Sequence, residues 1–177
     1  MPTGRTHRRV AASGAFAVRI LTELLTAQAF QPFGDVLAVA GPPDKLINQG
    51  MCGRYHDRAK LEFHNGRAGV SMFNAEPRAL PYRLEMVERH PEGSQCFVPM
   101  SEHPFLVIVA PDTGRRPGTP RAFLTAPGQA VNYHRGTWHG VLTPLHTPGL
   151  FAVIDRIGPG ANLEEHWFDQ AFEVVAG

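Results

Sequence analysis

Glycine and proline interrupt this chain at short intervals, 18 and 16 of them in 177 residues, and that punctuation restricts the fold more than any other feature. Proline removes a backbone donor and glycine weakens a helix interior, so long helices have little room. What remains between the breaks is short and rich in β-branched and aromatic residues: "FAVRI", "LEF", "VSMFNA", "YRLEMVERH", "QCFVPM", "FLVIVAP", "RAFLTA", "QAVNY", "LFAVIDR" and "AFEVV". Ten such runs predict an all-β sandwich or barrel. "FLVIVAP" is apolar on both faces and belongs in the core. One short helix fits "LTAQAFQPFG", ended by Gly34.

Charge narrows the function. Lys and Arg number 17 against 16 Asp and Glu, a net charge of +1, so no overall field draws nucleic acid or an anionic membrane. No apolar run approaches a transmembrane span, and the basic start "MPTGRTHRR" is followed by no signal-peptide core. We expect a cytoplasmic protein with residues 1–14 as a mobile arm and one domain over 15–177. Cys52 and Cys96 stand far apart, outside any CxxC spacing, which fits a reducing compartment and argues against structural zinc. Cys96 reads as a small buried hydrophobe. Neither GxGxxG nor GxxxxGK[ST] occurs, so no nucleotide-phosphate cradle is expected.

In "YRLEMVERH" the period of two puts Leu84, Met86, Glu88 and His90 on one face. Two aliphatics followed by a carboxylate and an imidazole point either into a barrel holding a polar site or out into water. A Pro-Gly turn follows, the next strand opens with Gln95, and "HRGTWHG" later supplies His139 after a glycine turn. Such a set can hold a metal or act as general acid and base. Along "VNYH" the same period separates Val131 and Tyr133 from Asn132 and His134; Tyr133 and His134 are candidates for substrate contact, Arg135 for the site or a solvated turn, and Trp138 for core wall. Asn48, Arg54, Tyr55 and His56 in "NQGMCGRYHD" are candidates for holding a carboxylate, since Arg binds one bidentately, or else form the charged face of a surface loop. The Glu164, Glu165, His166 and Asp169 cluster in "GANLEEHWFD" could mimic metal ligands, but reads rather as an acidic segment whose Leu163, Trp167 and Phe168 pack on the barrel.

The pair Glu88 and His90, the loop to Gln95, and Gly136 before His139 resemble the two motifs of the cupin superfamily. In that resemblance Glu88 stands where cupins commonly carry their first His, His90 at the second, Gln95 at the usual Glu, and His139 at the last ligand. "INQGMCGRYHD", "ERHPEGSQCFVPM", "FLVIVAP", "RAFLTAPGQAVNYHRGTWHG" and "IDRIGPGANLEE" together resemble the successive blocks of bacterial ureidoglycolate lyases, in order from Val18 to Asp169. Gly140 departs from that pattern where some members carry a second His.

The resemblance implies a cupin-like double-stranded β-helix barrel with a short N-terminal helix, usually a homodimer, that splits ureidoglycolate into glyoxylate and urea in allantoin breakdown. It implies Glu88, His90 and His139 as catalytic residues, and Gln95, Asn48, Arg54, Tyr133 and His134 as substrate contacts. It also implies either no required cofactor or a weakly bound divalent metal, Ni or Mn, on Glu88, His90, Gln95 and His139. Two other functions stay open: a metal-dependent cupin dioxygenase or isomerase, and a cupin that only binds a small acid.

Overall fold

Strands are the dominant regular element among the described residues, as the punctuation predicts. The computed structural model describes residues 18–177; the arm expected at residues 1–14 lies outside them. In order come β1 (Val18–Leu24), helix α1 (Ala27–Phe30), β2 (Gly34–Leu37), β3 (Lys45–Ile47), β4 (Cys52–Arg54), β5 (Arg67–Asn74), β6 (Tyr82–Arg89) and β7 (Gln95–Pro99). They are followed by β8 (Phe105–Ala110), β9 (Arg121–Leu124), β10 (Ala130–Tyr133), β11 (Trp138–His139), β12 (Thr143–Pro144), β13 (Leu150–Ile157) and β14 (Glu164–Val175).

One sheet runs β11-β6-β14-β1-β9-β8-β12, and β8 also pairs with β11, so six of its strands close into a ring. Closure removes free edges. Within it β1 lies parallel to both neighbours, β14 and β9. The second sheet runs β2-β10-β7-β13-β5. The result is a cupin-like β-barrel.

Two apolar clusters form because β8 is buried on both faces. Leu106, Ile108 and Ala110 join Ile20, Val87, Ala122, Trp138 and Val174, a cluster that takes residues from every strand of the ring. Phe105, Val107 and Val109 face the other way, onto Phe97, Val131, Tyr133, Phe151 and Val153 of the second sheet. Burying each large apolar side chain stabilises by about 1.5–3 kcal/mol. The wall of β8 and β11 is therefore held from both sides.

Several expectations need correction. The helix is a single turn: the Thr26 hydroxyl caps it by accepting from the Ala29 N–H at 3.2 Å, and Pro32 follows too soon for extension. Gly34 is not the helix stop but the first residue of β2. A Cβ there would lie 2.0 Å from the Asn132 carbonyl oxygen, so only glycine lets β2 approach β10. "LEF" supplies only an isolated bridge, Phe63 to Gly93. β2, β3, β4, β11 and β12 are too short to show a period. The acidic segment forms the first part of β14, where Phe168 packs on the ring cluster but Leu163 and Trp167 are 51% and 62% exposed. Trp167 opposes Met86 and Phe172 opposes Leu84, so β14 advances five residues while β6 moves two, a wide bulge that breaks alternation.

No helix among the described residues is long and apolar enough to cross a membrane.

Candidate active site

Pairing in register is what assembles the site. His139 of β11 lies directly opposite Glu88 of β6, so both side chains emerge on one face, and His90 follows just past the end of β6. Glu88, His90 and His139 each present an atom within 4.8 Å of the others. The His90 and His139 rings are 5.4 Å apart, and His90 Nε2 lies 3.9 Å from Glu88 Oε1. Tyr133, from the opposite sheet, stacks on His139 at 4.2 Å with the planes 2° apart.

The outer nitrogens of both imidazoles are spoken for. His90 Nδ1 donates to the Asn162 carbonyl at 2.7 Å, and His139 Nδ1 donates to the Gly140 carbonyl at 3.0 Å. A carbonyl can only accept, so Nδ1 carries the hydrogen in each ring and Nε2 keeps a lone pair. Both Nε2 atoms are buried without a partner. Gln95, opposite Tyr133 in the β7–β10 register, also has a buried, unpartnered Oε1. Two oriented imidazoles and a carboxylate, with a buried amide oxygen nearby, are a donor set that fits a divalent ion.

A family model described as ureidoglycolate lyase matches residues 17–175. The chain belongs to the ureidoglycolate lyase family. It is 60% identical over 149 residues to a ureidoglycolate lyase of Rhodobacter capsulatus, covering 84% of this chain and 92% of that protein. Ureidoglycolate lyases of Chelativorans sp. and Mesorhizobium japonicum are each 51% identical over 158 residues, covering 88% of this chain and 96% and 97% of theirs.

Within this ureidoglycolate lyase fold, burial sets the protonation of the site. It pushes the Glu88 carboxyl above its usual range; the His90 charge opposes the shift and the Glu165 charge adds to it. Burial also pulls His139 down from 6.5 to about 3, with His90 lowering it further and the Gly140 hydrogen bond acting the other way. Tyr133 is pushed upward by burial and by Glu88, so it stays a phenol. His139 is thus a neutral acceptor at ordinary pH.

This gives a sign for acid stability. Between 6.5 and about 3 the unfolded chain binds a proton at residue 139 that the folded chain refuses, so stability falls as pH drops through that window. In His139→Gln the acid slope should be shallower by up to about 1.4 kcal/mol per pH unit. Denaturant midpoints for both proteins from pH 7 to pH 4 check this, and equal slopes would refute it.

The remaining sequence candidates are placed elsewhere. His134 turns to the face of β10 away from Tyr133 and pairs with Asp35 at 3.0 Å. Asn132 Nδ2 and the Lys60 N–H also donate to Asp35. Although burial raises the Asp35 carboxyl, these partners together hold it below its usual value. Asn48 and Arg54 sit on the exposed β3–β4 hairpin, which joins neither large sheet. Asn48 has φ 53° at its turn. No hydrogen bond or ion pair among the described residues links either one to Glu88, His90 or His139. Trp138 is core wall at 3% exposure. Cys96 is buried, and burial with the nearby Asp35 charge pushes its thiol up to about 11, so it is no nucleophile.

Asn162, which the sequence reading did not name, and Glu165, which it set aside as part of an acidic segment, prove close to the chemistry. Asn162 both orients His90 through its carbonyl and binds the Glu92 N–H through its side chain at 2.8 Å. Glu165 lies opposite Glu88 in the β14–β6 register. Register pairing could have revealed Glu165 once β14 was recognised as a strand; nothing in the local pattern singles out Asn162.

Proposed function

We propose that this chain cleaves ureidoglycolate to glyoxylate and urea, with Glu88, His90 and His139 around the reacting carbon. The observation that carries the reading is the convergence of two unpartnered Nε2 atoms and a desolvated carboxylate within 4.8 Å, in a chain of the ureidoglycolate lyase family.

The substrate is a carbinolamide, whose central carbon bears a hydroxyl, a carboxylate and the ureido nitrogen. Glu88, made more basic by burial, takes the hydroxyl proton. The C–O bond becomes a carbonyl as the C–N bond breaks, and the electron pair leaves on nitrogen. His90, fixed by Asn162 through Nδ1, receives that proton from Glu88, 3.9 Å away, on its Nε2 lone pair and passes it to the leaving nitrogen, releasing urea. His139, neutral and clamped between Tyr133 and Gly140, accepts a hydrogen bond at Nε2 and fixes the substrate's orientation. Gln95 closes the polar wall.

A divalent ion would be held by Glu88, His90 and His139, with Gln95 nearby, and when bound it supplies polarisation of the carbinol oxygen and carboxylate. Asn48 and Arg54 enter this reading through a cytoplasmic homodimer in which the hairpin of one copy reaches the site of the other.

Purified protein incubated with racemic ureidoglycolate, with and without chelator, tests this. Urea and glyoxylate should rise together above the uncatalysed background without ammonia. Activity that survives the chelator assigns the work to acid–base residues alone, and loss restored by Ni or Mn assigns it to the metal-loaded set. No product above background refutes the reading.

A further inference from the structure

A cleft of about 590 Å³ opens beside the site but not into it. Its lining includes Arg89 and Trp138, which alternate with Glu88 and His139 along β6 and β11 and so face the other way. That volume lies in the range of small-molecule pockets.

The lining carries three guanidiniums, Arg89, Arg115 and Arg135, against one carboxylate, Asp112. Arg89 is already occupied: it pairs with Glu164 at 2.6 Å and Asp112 at 3.2 Å, and lies 4.4 Å over the Trp138 ring. Arg135 is held more loosely, by Glu62 at 3.3 Å with both side chains about half exposed, and it also donates to the Pro91 carbonyl at 3.2 Å. Arg115 makes no hydrogen bond or ion pair among the described residues.

Arg115 is also held in an expensive backbone shape. Its φ is +71°, next to Gly114 with the same value, in a turn closed by the Thr113 N–H on the Arg116 carbonyl at 2.7 Å. A side chain at such a position is strained where glycine or asparagine would sit at ease. The turn thereby sets a free guanidinium at the mouth of a cleft whose walls, Phe33, Pro91 and Pro111, are rigid and apolar.

We propose that this cleft is a second binding site, separate from the catalytic notch, for a small aromatic or heteroaromatic carboxylate whose ring lies on the proline and phenylalanine wall and whose carboxylate is taken by Arg115 and Arg135. Guanidinium binds a carboxylate with charge-assisted, paired hydrogen bonds, and the flat wall selects a planar body over a bare anion.

Benzoate is the probe. The sequence has two tryptophans, so Trp167→Phe leaves Trp138, in the cleft wall, as the sole reporter. Benzoate is titrated at constant ionic strength into this otherwise complete chain, following Trp138 fluorescence and heat in parallel. Acetate supplies the charge alone and benzyl alcohol the ring alone. Saturable binding should appear with benzoate, about tenfold or more tighter than with either fragment, and Arg115→Ser with Arg135→Ser should weaken it by a similar factor. Glu88→Gln should leave it unchanged, because Glu88 faces the other side of β6. An unsaturable response, equal binding by the double variant, or loss of binding in Glu88→Gln would each overturn the proposal, the last by placing the anion in the catalytic notch.

Discussion

His139→Gln and His90→Ala are each expected to cut turnover by about 10²–10⁴-fold while the barrel stays folded. His139 is 1% exposed, and a glutamine keeps most of its volume and a polar tip. What it loses is the ring that stacks on Tyr133 and the lone pair fixed by the Gly140 carbonyl. His90 lies just past the end of a strand with its side chain 17% exposed, at the site rather than in either apolar cluster. Steady-state urea release reads the loss, and denaturant midpoints and circular dichroism confirm the fold. Full activity in both variants would remove these imidazoles from the chemistry, whatever the product assay shows.

Arg156→Met is expected to cost about 2–4 kcal/mol of stability. Arg156 is 8% exposed, yet its guanidinium meets no carboxylate among the described residues. It donates to the carbonyls of His64, Asn65 and Pro159, the last two at 2.8 Å. Gly93 and Gly158 leave room for it, since a Cβ at either would come within 2.8 Å of Arg156. Methionine retains the aliphatic stem and strands the three carbonyls. Pro159 stands three residues before Asn162, the residue that orients His90, so kcat should fall with stability while a chemical denaturation curve shifts to lower midpoint. An unchanged midpoint would show that water replaces the guanidinium without loss.

How far the sequence reaches depends on the range of the physics involved. Alternation along a strand is local, so Glu88 and His90 were legible as a pair, and β8 as a strand buried on both faces. His139 was legible through the glycine turn at Gly136. The orienting partner of His90 was not: Asn162 arrives from 72 residues away, by a loop whose course depends on the Arg156 anchor. His134 was misleading because it sits one step beyond Tyr133, and a single residue of register sends it to Asp35 on the far face. The acidic run at Glu164 concealed a strand because it lies beside the bulge, where its large side chains do not alternate cleanly between core and water.

The parallel placement of β1 between β9 and β14 has a kinetic meaning. Val18 pairs with Phe172 and Leu21 with Val175, so the opening strand of the ring must wait for the final one before closure is complete. Until then β1 and β6 are unfilled edges, able to pair with another chain. Contacts that span so much of the sequence slow folding, and the ring stays open until β14 has been made and seated. The window for misassembly therefore closes only when β14 seats, and its length is set by the speed of that pairing.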